Sequence, residues 1–151
     1  MKVVLQRVVS ASVRVDSNTV AKIGHGLLVL VGVGIEDTEA HAGKLAEKIL
    51  RLKVFDEADS DVRWKRNIQD VKGEILCVSQ FTLHAVTRKG SKPDFHKSQK
   101  GHIAESVFNE VVTLLQQHVG MERVKVGVFG AKMQVESIND GPVTLIIDTD
   151  T

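Results

Sequence analysis

The run LLVLVGVG, Leu27 to Gly34, carries no charged or hydrogen-bonding side chain over its whole length. A stretch this short and this rich in β-branched residues reads as a strand buried on both faces, because a half-exposed strand would alternate. Such a strand belongs at the centre of a sheet with further layers over it. The rest of the chain has to supply those layers, and it contains the patterns to do so.

Upstream, KVVLQRVVSASVRV is rich in valine and reads as a strand, DSN at Asp16 to Asn18 as a turn, and TVAKI as the returning strand of a hairpin. Downstream, Asp37 is predicted to cap a helix running to about Lys53, with Ala42, Leu45, Ala46, Ile49 and Leu52 forming one apolar stripe. DEADSDVRWKRN reads as a loop, VKG as a turn and EILCVSQFTL as another strand. A second amphipathic helix is predicted from Ile103, Val107, Phe108, Val111, Leu114 and Leu115, ending at Gly120. The remainder, RVKVGVFGAKMQVESINDGPVTLIIDTD, alternates as two or three strands do. The sum is a sheet-dominated α/β domain with two covering helices, and 151 residues with 42% hydrophobic content make one core.

Charge and cysteine usage narrow the function classes. Lys plus Arg number 20 against 19 acids, so the protein as a whole has no pull on nucleic acid or membrane, and any attraction must be local. Local clustering exists in RKGSKPDFHKSQK, where Arg88, Lys89, Lys92, Lys97 and Lys100 face the single acid Asp94. The lone Cys77 lies in an apolar run, which excludes a disulfide framework and fits a small buried hydrophobe in a reducing compartment. The N-terminal stretch is interrupted by Gln6, Arg7 and Arg14 and reads as neither signal peptide nor membrane span, so a cytoplasmic location is expected.

Cofactor and metal signals are weak. GVGIED follows a strand and precedes a helix, but Asp37 occupies the place of the third glycine of a dinucleotide loop. The acids at 56, 57, 59 and 61 lack the glycine and distal glutamate of a calcium loop, and the six histidines show no ligand spacing. Neither a cofactor nor a metal is expected.

The chemically suggestive stretch is VSQFTLHAVT, Val78 to Thr87. Ser79 or Thr82 as a nucleophile needs a base, and His84 is the one nearby. Hydroxyls bonding local backbone, or backbone amides forming an anion-binding concavity, are the alternatives. NDGPVT, Asn139 to Thr144, is a strong turn signal before a final strand, and contains one of only two prolines.

SQFTL at Ser79 to Leu83 together with NDGPVT resembles the D-aminoacyl-tRNA deacylase family in its eukaryotic form. The resemblance covers essentially the whole chain: VLQRVVSASVRVD, KPDFH at Lys92 to His96 and FGAKMQV at Phe129 to Val135 lie in that family's order and spacing. VKVGVFG departs from it, since relatives often carry a charge at Val126 or Val128. The resemblance implies a barrel-like sheet core and a homodimer with active sites at the subunit interface. Each site would use Ser79, Gln80, Phe81 and Thr82 of one chain and a cis Gly141-Pro142 peptide of the other. It further implies hydrolysis of the ester between a D-amino acid and the tRNA 3′ adenosine, with backbone amides near Phe81 and Thr82 and the ribose 2′-hydroxyl carrying the chemistry. Glycyl esters are expected to be accepted and L-aminoacyl esters rejected. Arg7 and Asn139 are expected to support the Gly-Pro segment, and the basic loop to contact tRNA phosphates. A side-chain hydrolase built on Thr82 or Ser79 with His84, and a non-catalytic RNA-binding module, stand as rivals.

Overall fold

The computed structural model describes residues 1–150. Six strands form one mixed sheet: β1 (Lys2–Val15), β2 (Asn18–Ile23), β3 (Gly26–Gly32), β4 (Glu74–Ser79), β5 (Val124–Val126) and β6 (Gln134–Asp148). The order is β2-β1-β3-β4-β5, with β6 on the other edge of β1. The pairs β3–β4 and β4–β5 are parallel, so each needs a crossover. Those crossovers carry α1 (Glu39–Arg51) and α2 (Gly101–Val119). The two helices pack on each other, while β2 curls back to touch β4 and β5, giving a nearly closed, barrel-like sheet.

The predicted central strand is central. Leu27, Val29 and Val31 of β3 join the core beneath the helices, while Leu28 points into a second core inside the curled sheet. Strand β4 divides the same way, with Ile75 and Cys77 on the helix side and Leu76 and Val78 inside. Burying both faces of two neighbouring strands removes the alternation a single-faced sheet would show.

Strand β1 serves both cores in succession. Val3 and Leu5 lie under the helices, whereas Val8, Ala11 and Val13 line the inner core. Alternation alone would separate Val8 from Ala11. Val9 reconciles them: it is the extra residue where the pairing passes from Val8↔Asn139 to Ser10↔Ile138, a bulge that resets which residues face inward.

Several local expectations are corrected. The hairpin forms, with Asp16 and Ser17 at positive φ as its two-residue turn. Helix α1, however, is capped by Thr38 and not Asp37; the Thr38 N–H donates to His41 Nδ1 at 3.1 Å. The Asp37 carboxylate is held elsewhere, by the Met1 amine at 2.7 Å and by the Gly34 N–H. The helix ends at Arg51, short of Lys53. Helix α2 ends at Gly120, which takes φ +112°, but Ile103 is about half exposed, because the inward stripe is Ala104, Val107, Phe108, Val111 and Leu115. Strand β4 stops at Ser79; residues Phe81–His84 form a 3-10 turn closed by Leu83 N–H to the Gln80 carbonyl.

NDGPVT is not a hairpin turn. It lies inside β6, which pairs with β1 on both sides of it, Thr144↔Gln6 beyond and Asn139↔Val8 before. Arg7 alone stands opposite the four residues Asp140 to Val143, so the segment bulges out of the sheet. Among the described residues no helix is long and apolar enough to cross a membrane.

Candidate active site

Parallel strands deliver their C-terminal ends to one edge, and at that edge β4 hands over to the 3-10 turn. The Gln80 N–H donates to the Val31 carbonyl at 2.8 Å, fixing the start of the turn on β3. Phe81 and Thr82 are its first two residues, and N–H groups at that position have no acceptor within the turn. The turn is clamped at both ends: Ser98 Oγ donates to the Phe81 carbonyl at 2.9 Å, and His84 Nε2 lies 3.2 Å from the Gly32 carbonyl. Gly32 has to be glycine, since a Cβ there would stand 2.9 Å from the Gln80 carbonyl oxygen.

Ser79, Gln80 and Phe81 line a cavity of about 300 Å³ whose other walls include Val31, Val33, Ala104 and Phe129. Gln99, Lys100 and Gly101 close its polar side. The ring of Phe81 is exposed, and Phe95 of the basic loop meets it edge-on at 5.1 Å. The basic loop is pinned beside the cavity by the Val86–Asp94 and Gly34–Ser98 bridges. Arg88, Lys89, Lys92, Lys97 and Lys100 are exposed on it, and Asp94 is turned toward His96. The His96 N–H, 2.8 Å away, and its ring hold the Asp94 carboxyl below the usual carboxylate range.

Among the described residues no side-chain base addresses Thr82. Its hydroxyl pairs with Gln80 Nε2 at 2.6 Å, whereas the His84 ring faces back to Gly32 and lies 4.0 Å from Asp37. The thiol of Cys77 is equally unsuited, because burial pushes it up to about 12. Asp37, His41 and Asp150 gather ligand atoms within 4.8 Å of one another, but Asp37 already faces the Met1 ammonium.

The second motif occupies another part of the surface. Gly141 and Pro142 are exposed and joined by a cis peptide, with Gly141 at φ +116°. A side chain at Gly141 would press on the Val143 amide at 3.1 Å and on Arg7 Nη2 at 3.3 Å. Arg7 is buried beneath. Its Nη1 donates to the Val54 carbonyl at 2.7 Å, its Nε to the Asp140 carbonyl at 3.3 Å, and the Asp140 and Asp56 carboxylates lie at 3.1 and 3.6 Å. Among the described residues the Asn139 side chain makes no hydrogen bond to Arg7; its Oδ1 accepts from Ser137 Oγ at 3.1 Å. Gly141 and Pro142 line a separate cavity of about 360 Å³ with Arg7, Asp56, Arg63 and Trp64. The two cavities share no residue, so one chain does not bring the two motifs together.

Sequence reasoning missed Ser98, Val54 and Asp56, the side chains and carbonyl that brace the two motifs. Nothing local marks them, since each is joined to its motif only by the fold.

Over residues 4–148 the sequence matches the family described as D-Tyr-tRNA(Tyr) deacylase. The chain belongs to that family. The deacylases named D-aminoacyl-tRNA deacylase in Saccharomyces cerevisiae and Schizosaccharomyces pombe are 51% and 52% identical to it, each alignment covering 99% of both chains. A bacterial deacylase of the same name, from Flavobacterium psychrophilum, is 46% identical over 99% of this chain and 97% of its own. Among solved structures, the c-Myc DNA Unwinding Element Binding Protein superposes with a TM-score of 0.92 at 43% identity, covering 98% of each chain. A probable eukaryotic D-amino acid tRNA deacylase superposes at 0.84 and 16% identity over 97% of each, a likeness of fold. The family that SQFTL and NDGPVT pointed to is therefore the one found, at full length.

Proposed function

We propose that the protein hydrolyses the ester of D-aminoacyl-tRNA, returning free tRNA and a D-amino acid, as a homodimer whose sites are shared between subunits. The observation that carries this reading is the separation of the two motifs: the Ser79–Thr82 turn opens on one cavity, and the exposed Gly141-Pro142 peptide projects elsewhere. A second copy supplying the peptide completes the site. Strand β6 suits such an interface, since Val135, Ile138 and Ile146 are exposed along it at 41%, 59% and 82%.

In this reading the apolar cavity receives the terminal adenosine, whose flat base fits walls of valine, alanine and phenylalanine. The ester carbonyl then lies over the turn. Water adds to that carbonyl, assisted by the vicinal 2′-hydroxyl, and the Phe81 and Thr82 N–H groups stabilise the oxyanion. Collapse expels the ribose 3′-oxygen, which takes up a proton. An aminoacyl ester is already activated, so positioned amides suffice; one such donor is typically worth about 3–4 kcal/mol of transition-state stabilisation. The absence of a base on Thr82 is consistent with this division of labour.

Chirality is read by exclusion. The Gly141 and Pro142 carbonyls, next to the Asp140 carbonyl that Arg7 holds, stand where an L side chain would project, and a D side chain points away. The exposed cations from Arg88 to Lys100 contact phosphates of the acceptor end, giving binding that weakens with salt. A protein that works on aminoacyl-tRNA is expected in the cytoplasm.

The test is single-turnover deacylation of matched D- and L-tyrosyl-tRNA against buffer controls. Fast loss of the D ester with the L ester spared is the expected result; equal rates, or rates no faster than buffer, overturn the reading.

A further inference from the structure

We infer that Trp64 and the loop that carries it dock on a second copy of the chain, against the Arg88–Lys100 loop beside that copy's Ser79–Thr82 turn. The inference rests on the shared-site reading above and extends it to the Trp64 loop, which that reading leaves without a role.

Trp64 is the chain's only tryptophan and is 56% exposed. It is presented, not loose: Phe55 and Arg66 exchange backbone hydrogen bonds at 3.0 Å, the Glu57 N–H reaches the Val62 carbonyl at 2.7 Å, and Trp64 takes φ +57°. Val62, on the same limb, is 52% exposed. Two large apolar side chains on one pinned loop form a contact surface for something. Trp64 and Arg63 also line the cavity that holds Gly141 and Pro142. Wherever the Gly-Pro peptide goes, this loop goes with it.

The occupant follows from what surrounds the other motif. In a two-fold dimer the neighbours of one element meet the neighbours of the element it enters, and the contact repeats reciprocally. The Ser79–Thr82 turn is flanked by the basic loop, through the Phe81–Phe95 ring contact and the Ser98 hydrogen bond. The tip of the loop before Trp64 is acidic, with Asp59 and Asp61 exposed, while the exposed Arg63 and Lys65 flank the indole itself. Opposite charges therefore meet, and the indole lies beside the partner's apolar cavity mouth. Charge complementarity of this kind sets register and encounter rate, while a large buried aromatic anchors the contact.

The experiment reads Trp64 fluorescence in the full chain while sedimentation equilibrium reports the oligomer at each concentration. Expected are a blue-shifted emission shielded from acrylamide in the dimer, a red shift on dilution to monomer, and a dimer constant weakened by about tenfold or more in Trp64→Ala. Asp59→Lys with Asp61→Lys weakens the dimer in low salt, and adding Lys89→Glu and Lys92→Glu to the same chain restores it. A dimer in which Trp64 stays solvent-exposed and Trp64→Ala changes nothing overturns the inference while leaving the shared site standing. So does protection of the indole by deacylated tRNA with the dimer unaffected, which assigns the loop to RNA. A chain that is monomeric at all concentrations and still cleaves D-tyrosyl-tRNA overturns the shared site itself.

Discussion

The buried hydroxyl of Ser98 donates to the carbonyl of Phe81 across 2.9 Å, tying the basic loop to the turn at the cavity. In a trans peptide the carbonyl and the next N–H point in opposite directions, so holding one aims the other. Ser98→Ala leaves that carbonyl without its side-chain donor, costing about 1–3 kcal/mol. Thermal unfolding should fall by several degrees, and single-turnover deacylation should slow by about tenfold with tRNA affinity unchanged. Loss of affinity with an unchanged rate would contradict the aiming role.

Thr82→Ala removes only an exposed partner of Gln80. The expected loss of activity is at most about tenfold, in line with one neutral hydrogen bond. Complete loss of turnover in a folded variant, measured by rapid quench, would return Thr82 to the role of nucleophile.

Arg7→Ala strands the Val54 and Asp140 carbonyls and two carboxylates around a buried gap. Stability should drop by about 3 kcal/mol in denaturant titration. Arg7→Lys keeps the charge but cannot donate to both carbonyls in the planar fork, so an intermediate loss is expected. Discrimination between D- and L-tyrosyl-tRNA should erode in both, because the peptide above loses its support.

Rejection by collision has a corollary for the smallest amino acid. Glycyl-tRNA, with no side chain to meet the Gly141 and Pro142 carbonyls, should be cleaved while L-alanyl-tRNA is spared. Equal resistance of the two in parallel time courses would argue against sterics.

Cys77 supplies a pH signature. Its thiol is pushed up to about 12 by burial, from an ordinary 9.0. Above the lower value the unfolded chain loses that proton and the folded chain keeps it, so stability falls between about pH 9 and 12, by up to about 1.4 kcal/mol per pH unit. Cys77→Ala should flatten that part of the profile, and the native thiol should resist thiol reagents at pH 8.

What was legible in the sequence was what is decided locally. The LLVLVGVG run gave a central strand because no neighbour could change its apolar character, and Gly120 ended α2 because only its backbone was at issue. The cap of α1 was misread by one residue because the Met1 amine, far off in the chain, claims Asp37. NDGPVT carried correct turn chemistry but the wrong topology, since the strand after it returns to the same partner, β1. SQFTL announced a site, while the strand's end at Ser79 depended on hydrogen bonds to β3 and to Ser98.

The extra residue at Val9 makes β1 a shared reading frame. Were Val9 paired in step with β6, abolishing the bulge, Val3 and Leu5 would stay in place but Ser10, Ser12 and Arg14 would turn inward and Ala11 and Val13 out. The inner core would then lose its apolar wall to a serine-arginine row. One half-exposed valine thus acts as punctuation for the whole strand, and the two cores cannot be redesigned one at a time.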